Sequence, residues 1–274
     1  MKSINIEQPL VSVIVPTYNY AQFIGDAIES VINQTWQTWE MLIIDDGSTD
    51  NTKSVVQSYV SKDCRITYFA IAQNSGRVAV ARNYGISKSK GKYVAFLDSD
   101  DWWKPNKIEK QIELLENNDN IFLVYSRYII IKNGIFSKTL PKRKKLRSGN
   151  VFVPLFLSND FIGNSTVMLR NTLSEDNFLF DTDVKLRAIE DFALWLRIAK
   201  NKQIAYVDET LVVYREHGSN TSIGIKAYLL RYLQLVKKNR HDVSKTLLIR
   251  KYLLIFATIG LLIIKKALTK KCII

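Results

Sequence analysis

The chain has 274 residues, of which 47% are hydrophobic and 24% are charged, and its formal net charge is +13. A chain of this length and composition can bury a sizeable core, either as one large α/β domain or as one domain with a tail. The two cysteines, Cys64 and Cys272, lie far apart, and no CxxC or Cys/His cluster offers a metal site. This cysteine usage fits a reducing compartment.

The positive charge is concentrated towards the C-terminal end. From Gly224 onward there are 12 Lys and Arg residues and one acid, Asp242, whereas residues 1–223 carry 27 basic and 25 acidic residues. The chain therefore divides into a nearly neutral part, 1–223, and a basic tail, 224–274. Residues 1–10 lack the charged start and apolar run of a secretory signal, so we expect the protein in the cytoplasm.

The first hundred residues alternate between apolar strands and amphipathic helices. Residues 11–15, 41–44, 66–71 and 93–97 are short apolar runs, and apolar residues at helical spacing follow the first three. These features predict four strand–helix units and a doubly wound α/β sheet. No Gly-x-Gly-x-x-Gly follows the first strand and no Gly-x-x-x-x-Gly-Lys occurs, which argues against an NAD enzyme and a P-loop ATPase.

Three carboxylates end the fourth strand. Asp98, Asp100 and Asp101 follow its apolar run, and in open α/β sheets the carboxyl ends of the strands face the ligand crevice. Clustered carboxylates raise one another's pKa unless a cation joins them. We therefore expect Mg²⁺ or Mn²⁺, with the phosphates of a nucleoside diphosphate as further ligands. The alternative from these residues alone is a turn of solvated acids that caps the helix begun at Pro105.

A second acidic turn follows the second strand. Asp45 and Asp46 come directly after the apolar run, and Gly47 can supply a tight turn. Either carboxylate could accept a hydrogen bond from a nucleobase or a ribose hydroxyl, but the spacing alone favours a turn that caps the next helix. In the third loop, Arg77 and Arg82 lie near a helix start, where a phosphate can bind.

Four motifs, in this order, resemble the signatures of the family 2 glycosyltransferases. They are Val13-Ile14-Val15-Pro16-Thr17-Tyr18-Asn19, Ile43-Ile44-Asp45-Asp46-Gly47-Ser48-Thr49-Asp50, Asn74-x-Gly76-x-x-x-Ala81-Arg82-Asn83 and Phe96-Leu97-Asp98-Ser99-Asp100-Asp101. The resemblance runs from about residue 10 to about residue 220. It implies a GT-A fold, with a Rossmann-like mixed sheet flanked by helices, and the transfer of a sugar from a nucleotide donor.

The resemblance also implies roles for individual residues. The implied nucleotide and donor-binding residues are Pro16, Thr17, Tyr18, Asn19, Asp46, Asn74, Arg82, Asp98 and Ser99. Asp100 and Asp98 would contact the divalent ion. A lone histidine in a loop is usually a surface residue, but His217 resembles the C-terminal metal-contacting histidine of GT-A enzymes and is the third predicted ligand.

The second half of the chain contains the predicted catalytic base. Glu190 and Asp191 begin a predicted helix, where the helix dipole favours carboxylates, so a purely structural helix start is the alternative. The pair resembles the Glu-Asp element of the family, whose Asp acts as the base, and we therefore assign this role to Asp191. In the family, the region of Gly163 and Asn164 borders donor and acceptor, and the resemblance assigns Gly163, Asn164, Glu190 and Trp102 to the acceptor side.

The basic tail is predicted to be helical and to associate with a membrane. Residues 252–264 form an uncharged run of 13 residues, shorter than the roughly 20 residues of a spanning helix. Cationic flanks around an apolar face suit an anionic membrane, so we expect residues 224–274 at the inner face of the plasma membrane. The alternative is a packed helical hairpin or a homodimer contact. The tail has no recognised nucleic-acid-binding motif, and no nucleic acid partner is predicted.

The sequence thus predicts an inverting, metal-dependent hexosyl- or N-acetylhexosaminyltransferase, with a nucleotide-binding half (about 10–104) and an acceptor-side half (about 105–223). The donor would be a nucleotide-diphosphate sugar, foremost a UDP-sugar, and the acceptor a hydroxyl of a lipid-linked or growing cell-surface glycan. Two other classes remain open. One is a nucleotidyltransferase on a related fold, although Thr17-Tyr18-Asn19 provides no basic phosphate loop. The other is a non-catalytic subunit that binds the sugar nucleotide without turnover.

Overall fold

The computed structural model describes residues 8–142, 146–157, 161–218, 225–241 and 243–257. The first half of the chain consists of β1 (Val11–Thr17), α1 (Ile24–Ile32), β2 (Trp39–Asp45), α2 (Thr52–Val60), β3 (Ile66–Ala70), α3 (Val78–Lys88) and β4 (Tyr93–Phe96). The second half begins with β5 (Trp102–Trp103), α4 (Lys107–Glu116), β6 (Ile121–Lys132), β7 (Ile135–Leu140), α5 (Phe152–Leu157) and a 3-10 turn (Asn164–Thr166). It continues with β8 (Met168–Arg170), a second 3-10 turn (Val184–Leu186), α6 (Glu190–Asn201), β9 (Gln203–Glu216), α7 (Ile225–Lys238) and α8 (245–257).

The strands form one mixed sheet in the order β3-β2-β1-β4-β8-β6-β9-β5, with β7 added to β6. Strands β1 to β4 are parallel, whereas β8 is antiparallel to both β4 and β6. β6 and β9 are parallel, and the short β5 pairs antiparallel with β9. This arrangement confirms the predicted mixed α/β sheet, and it places β8 beside β4, with β6 and β9 following in the sheet.

The central strands are buried on both faces, as their apolar runs predict. In β1, Val11, Val13 and Val15 pack with α1 and α4, whereas Ile14 packs on the opposite face with α3 and α6. This alternation follows from the two-residue repeat of a strand. Because helices cover both faces of these central strands, a ligand can reach them at their ends.

Two details of the predicted element order are wrong. Three strand–helix units, not four, precede the acidic turn, because β4 is followed first by β5 and only then by α4. The apolar runs 204–207 and 211–214 predict two further strands from the sequence, but they form one strand, β9. The polar residues between them, Asp208 and Glu209, form a bulge in the pairing with β6, and their side chains form ion pairs with Arg127 and Lys110.

The described part of the C-terminal region is helical and packs on the domain. Tyr232 of α7 stacks on Phe192 of α6, with ring centroids 5.3 Å apart, and its hydroxyl donates to the Phe156 carbonyl at 3.0 Å. In α8, Lys251 is buried and its Nζ donates to the Leu157 carbonyl at 3.1 Å. Most of the apolar run 252–264 lies outside the described residues. The division at residue 223 remains a prediction.

The outer face of α8 is apolar. Ile249, Leu253 and Phe256 follow one another at helical spacing, and their exposed fractions are 60%, 63% and 65%. No helix in the described ranges has the length and apolar character needed to cross a membrane.

Candidate active site

The acidic turn after β4 is held in a mostly buried position. The Leu97 amide donates to the Ile14 carbonyl at 3.0 Å, so β1 supports the chain up to the first aspartate. Asp100 and Asp101 are 8% and 2% exposed, and the Ser99 side chain between Asp98 and Asp100 is buried. The predicted set of carboxylates therefore lies at the carboxyl edge of the sheet and not in a solvated capping turn.

Asp100 and His217 come together although 117 residues separate them in sequence. Asp100 Oδ2 lies 3.0 Å from His217 Nε2, and the imidazole packs against the rings of Phe23 and Tyr20, at centroid distances of 4.4 and 5.6 Å. Burial and the Asp98 charge raise the pKa of Asp100, and the hydrogen bond from His217 opposes them. Two of the three predicted metal ligands are thus in direct contact.

Asp101 joins the acidic turn to two other segments. Its carboxylate accepts hydrogen bonds from Ser165 Oγ at 2.6 Å and from the Arg215 backbone amide at 3.2 Å. Burial, followed by the charges of Asp100 and Asp98, raises the pKa of Asp101 well above its usual value. No motif in the sequence marks Ser165 as a partner of Asp101, because the two residues lie 64 positions apart.

Arg215 fixes the strand end that carries His217. Its guanidinium lies between the rings of Phe23 and Trp102, 4.8 and 4.7 Å from their centroids, and it forms an ion pair with Asp26. Trp102, which was assigned to the acceptor side, therefore stacks on this arginine. Its proposed contact with an acceptor remains a prediction.

Arg82 connects the acidic turn to the start of α6. The residue is 4% exposed; Nη2 lies 2.8 Å from Asp98 Oδ1, and Nη1 lies 3.1 Å from Glu190 Oε1. A buried guanidinium stays charged and needs such partners. The sequence placed Arg82 near the nucleotide but did not predict that it would bridge two carboxylates 92 residues apart (Asp98 and Glu190).

Asp191 lies beside this bridge, in the first turn of α6. Its Oδ1 accepts a hydrogen bond from the Phe192 amide at 2.8 Å, and the residue is partly exposed. Burial of the carboxyl group, together with the Glu190 charge, raises the pKa of Asp191 to about 6, although Arg82 and the hydrogen bond act in the opposite direction. Such a carboxylate can exchange a proton near neutral pH.

The turn at Asn164–Thr166 presents Asn164 to the acidic turn. Asn164 Nδ2 donates to Asp98 Oδ1 at 2.9 Å. Three successive carbonyls of this segment accept hydrogen bonds from β5 and α4: that of Ser165 from Trp103, that of Thr166 from Gln111 and that of Val167 from Lys107, at 2.8, 2.7 and 3.3 Å. A Cβ at Gly163 would lie 3.2 Å from the Tyr128 ring, so this residue packs against β6.

The predicted nucleotide residues lie at the neighbouring strand ends. Thr17 pairs with Asp45 at the ends of β1 and β2, and Thr17 and Pro16 are buried. Asn19 has a φ of 54°, and its Oδ1 accepts from the Thr49 amide at 2.8 Å, which joins the first two loops. Tyr18 is 41% exposed.

The second and third loops are also joined. Asp46 accepts hydrogen bonds from the Ser75 amide at 3.0 Å and from Ser75 Oγ at 2.8 Å, while Asn74 is exposed and its Oδ1 accepts from the Gly76 amide. Gly47 has a φ of +78°, and a Cβ there would lie 2.8 Å from the Asn74 nitrogen. Only glycine fits this close approach without strain. The loops therefore form one continuous rim beside β4.

Known proteins share the sequence and the architecture of this chain. Residues 12–175 match the family model described as Glycosyl transferase family 2. This chain belongs to the family 2 glycosyltransferases. It is 37% identical over 210 residues to TuaG of Bacillus subtilis (strain 168), provisionally named a teichuronic acid biosynthesis glycosyltransferase, and the match covers 76% of this chain and 79% of TuaG.

A second relative of this glycosyltransferase has a more specific name. It is the Escherichia coli UDP-Glc:alpha-D-GlcNAc-diphosphoundecaprenol beta-1,3-glucosyltransferase WfgD, which is 36% identical over 214 residues, covering 78% of this chain and 79% of WfgD. Three uncharacterised glycosyltransferases from Rickettsia are longer, and the chain spans only 33–37% of their lengths.

Solved structures show that the fold is GT-A. The mannosyltransferase PcManGT of Pyrobaculum calidifontis, determined with GDP-Man and Mn²⁺, superposes with a TM-score of 0.65 at 21% identity, over 91% of this chain and 70% of that one. The likeness confirms the fold expected from the four motifs.

The side chains at the acidic turn fit a divalent ion. Within the described segments, no group of three or more His, Cys, Asp or Glu side chains is arranged to hold a metal unaided. However, Mg²⁺ in nucleotide sites is usually held by one or two protein carboxylates, with substrate phosphates and water as the remaining ligands. Asp100 and His217, 3.0 Å apart, together with the nearby Asp98, match that smaller requirement.

Proposed function

We propose that this family 2 glycosyltransferase transfers a sugar, with inversion, from a nucleotide-diphosphate sugar to a hydroxyl of a lipid-linked or growing cell-surface glycan. The observation that carries the proposal is the buried Arg82, which forms ion pairs with Asp98 and Glu190. It couples the acidic turn, where the donor diphosphate is expected, to the helix start that bears the proposed base.

Asp191 is the proposed general base. An acceptor hydroxyl is a poor nucleophile until its proton is removed during attack, and a positioned carboxylate can accept that proton. With a pKa of about 6, Asp191 is ionised at pH 7 and still basic enough to take the proton. Attack from the side opposite the departing diphosphate inverts the anomeric centre.

Asp98, Asp100 and His217 are the proposed ligands of Mn²⁺ or Mg²⁺. When bound, the ion would supply positive charge for the diphosphate leaving group. The contacts around this site pre-organise it. Ser165 and the Arg215 amide fix Asp101, and Phe23 and Tyr20 pack against the His217 ring. We propose that the nucleoside binds at the rim and at the strand ends beside it. The residues of this proposed nucleoside site are Pro16, Thr17, Tyr18, Asn19, Asp46 and Asn74, together with Ser99 of the acidic turn.

The proposed substrates follow from the relatives. WfgD is named for a UDP-glucose donor and a diphosphoundecaprenol-linked acceptor, and TuaG for teichuronic acid biosynthesis. We therefore propose a UDP-sugar, with a hexosyl or N-acetylhexosaminyl group, and a membrane-borne acceptor. A position at the inner face of the plasma membrane is supported by the exposed apolar side chains of α8 and by the basic residues around them.

Calorimetric titration of UDP, GDP and dTDP into the purified protein, with Mn²⁺ and with a chelator, tests the donor site. We expect one diphosphate to bind, and its binding to need the ion. Binding of nucleoside triphosphates in preference to diphosphates would instead favour a nucleotidyltransferase. Tight donor binding with neither transfer nor hydrolysis, when membrane glycolipid extracts are offered as acceptors, would favour the non-catalytic subunit. No binding by folded protein would refute the proposed donor site.

A further inference from the structure

A basic pocket lies between the second 3-10 turn and the C-terminal end of α7. Its volume is about 360 Å³, which is within the range of small-molecule sites. Four of its lining residues are Lys or Arg, and one is acidic. The charged and titratable residues that line it are Asp183 and Lys185 from the turn, and Lys237, Lys238, Arg240 and His241 from the end of α7.

The two walls of the basic pocket are joined by tertiary contacts. Arg231 of α7 donates a hydrogen bond to the Arg187 carbonyl, directly after the turn. Lys238, at the end of α7, forms an ion pair with Asp181, directly before the turn. The pocket therefore belongs to the folded domain and is not formed by a free tail.

Most of the positive charge in the pocket is not neutralised. Lys185 and Lys237 are exposed, and neither has an ion-pair partner among the described residues. Asp183 accepts a hydrogen bond from the Lys185 amide at 2.9 Å, so its carboxylate caps its own turn. Arg240 Nε donates to His241 Nε2 at 2.9 Å, which leaves the two amino groups of this guanidinium for a ligand.

The helix dipole explains only part of this arrangement. Basic residues in the last turn of a helix are stabilised by the dipole, which accounts for Lys237 and Lys238. It does not account for Lys185, which comes from a different segment and adds a like charge to the same cavity. A concave site lined by one sign of charge attracts ions of the opposite sign. The pocket is therefore suited to an anion.

Phosphate is the anion that fits these donors and this position. A guanidinium can bind two phosphate oxygens at once, and an ammonium group adds a point charge. The exposed apolar face of α8 starts at Ile249, eight positions after His241. If that face lies in a membrane surface, the phosphate groups of lipids lie at the level of the helix.

The pocket is also close to the proposed base. Lys185 precedes Asp191 by six residues, and a fully extended chain spans at most about 3.6 Å per residue, so their Cα atoms are at most about 22 Å apart. One lipid-linked glycan can therefore place its phosphate in the pocket and a hydroxyl at Asp191. We propose that the basic pocket binds the phosphate or diphosphate that joins the acceptor glycan to its lipid. This inference rests on the proposed function, which supplies the lipid-linked acceptor.

Vesicle binding tests the pocket without catalysis. Phosphatidylcholine vesicles carry either a polyprenyl diphosphate or phosphatidylglycerol at equal negative charge, and cosedimentation of the full chain gives a dissociation constant for each. A chelator prevents the diphosphate from binding through a divalent ion at the acidic turn. The diphosphate preference is defined as the dissociation constant for the phosphatidylglycerol vesicles divided by that for the diphosphate vesicles.

We expect a wild-type preference of about tenfold or more, because the pocket concentrates donors that a flat charged surface lacks. Lys185→Ser/Lys237→Ser should reduce the preference about tenfold, since two charge-assisted contacts are lost. Both side chains are exposed, so this variant should fold like the wild type. A wild-type preference near one would mean that bilayer phospholipid serves equally well, and it would overturn the inference.

Lys88→Ser/Lys90→Ser is the matched control. It removes the same charge from two exposed positions before β4, at the edge of the sheet opposite the acidic turn. We expect this variant to keep the wild-type preference. An equal change in the two variants, or no change in either, would show that the pocket does not select the diphosphate.

Transfer assays then separate the acceptor phosphate from the glycan. With a membrane glycolipid extract as the acceptor, Lys185→Ser/Lys237→Ser should raise the acceptor KM about tenfold and leave kcat nearly unchanged, because the pocket contacts a part of the acceptor that does not react. After mild acid has released the glycan from its phosphate, the KM values of the variant and the wild type should be equal. A rise of the same size with the released glycan would place the glycan in the pocket and overturn the inference.

The donor site separates this inference from the proposed function. The affinity for UDP with Mn²⁺ should be the same in the variant and the wild type. If the wild-type protein binds UDP and transfers sugar but shows no diphosphate preference, the pocket assignment fails and the proposed function stands. If it prefers diphosphate vesicles but binds no nucleotide, the proposed function fails and the pocket remains a site for lipid phosphate.

Discussion

The two carboxylate clusters on either side of Arg82 differ in how their charge is balanced. At the start of α6, Glu190 is paired with the guanidinium, and Asp191 beside it has a pKa raised by burial to about 6. After β4, Asp98 forms an ion pair with the second amino group of the same guanidinium. Asp100 contacts His217, and Asp101 accepts hydrogen bonds from neutral donors. The first cluster is therefore suited to proton transfer, and the second is short of positive charge and suited to a cation.

Asp191→Asn removes the proposed base from the cluster at the start of α6, and we expect a greater loss of activity from it than from any other change. Turnover should fall about 10²–10⁴-fold, because the amide cannot accept the proton of the acceptor hydroxyl. Donor affinity, measured by calorimetry, should stay close to that of the wild type. Asp208→Asn, which changes a surface carboxylate paired with Arg127, should keep full activity. Unchanged turnover in Asp191→Asn would remove the base assignment.

The same variant has a second, structural readout. Burial raises the pKa of Asp191 in the folded protein, so this carboxyl group is protonated to a greater extent in the folded than in the unfolded state between about pH 4 and 6, and its contribution to stability falls as pH rises through that window. Asn does not titrate. Asp191→Asn should therefore exceed the wild type in urea stability at pH 7, and the difference should vanish near pH 4. A reversed order at pH 7 would contradict the burial of this charge.

Arg82→Met removes the ion pairs that link the two clusters through Asp98 and Glu190. Removal of one partner from a buried ion pair leaves uncompensated charges and typically destabilises a protein by about 3–5 kcal/mol. We expect this loss in urea unfolding at pH 7. The double variant Arg82→Met/Glu190→Gln should recover part of it, because one of the stranded charges is removed. Arg65→Met, which removes a more exposed pair with Asp63, is the control and should cost much less.

The pH dependence of turnover tests the proposed base in the wild-type protein. Asp191 must be ionised to act as a base, so kcat should fall about tenfold per pH unit below an apparent pKa of about 6. Arg82 lowers the pKa of Asp191, and any Arg82→Met protein that folds should show this acid limb at higher pH. A limb near pH 4, unmoved by the variant, would mean that another group controls the rate.

The sequence predicted the sheet and the site residues where the signal is local. The strands β1 to β4, the carboxylates that follow β4 and the acidic start of α6 each lie within a few consecutive residues, so periodicity and order revealed them. The contact between Asp100 and His217 was reached only through family resemblance. Spacing alone does not bring two residues together across 117 positions.

The contacts that sequence reasoning missed depend on tertiary packing. Ser165 and Arg215 fix Asp101 from two different segments, and no sequence pattern identifies either residue as a partner of Asp101. The sequence predicts two strands where β9 is one, because Asp208 and Glu209 interrupt the apolar pattern, although a bulge lets the strand continue. Likewise, the burial of Tyr232 and Lys251 against the domain could not be read from a tail whose composition suggests a membrane.

The C-terminal helices differ from the two carboxylate clusters, because they lie in a region with an excess of positive charge. We expect Ile249→Ser/Leu253→Ser/Phe256→Ser to weaken binding to vesicles of anionic lipid by about tenfold or more, since burial of one such side chain contributes about 1.5–3 kcal/mol. Ile135→Ser/Phe136→Ser is the matched control, because these side chains of β7 are 72% and 61% exposed. Cosedimentation at low and high salt measures both, and the basic residues should make binding weaker at high salt.

Equal binding by the two variants would contradict a membrane contact through α8. A monomer in place of a wild-type dimer, seen by light scattering, would show instead that the apolar face joins two copies of the chain.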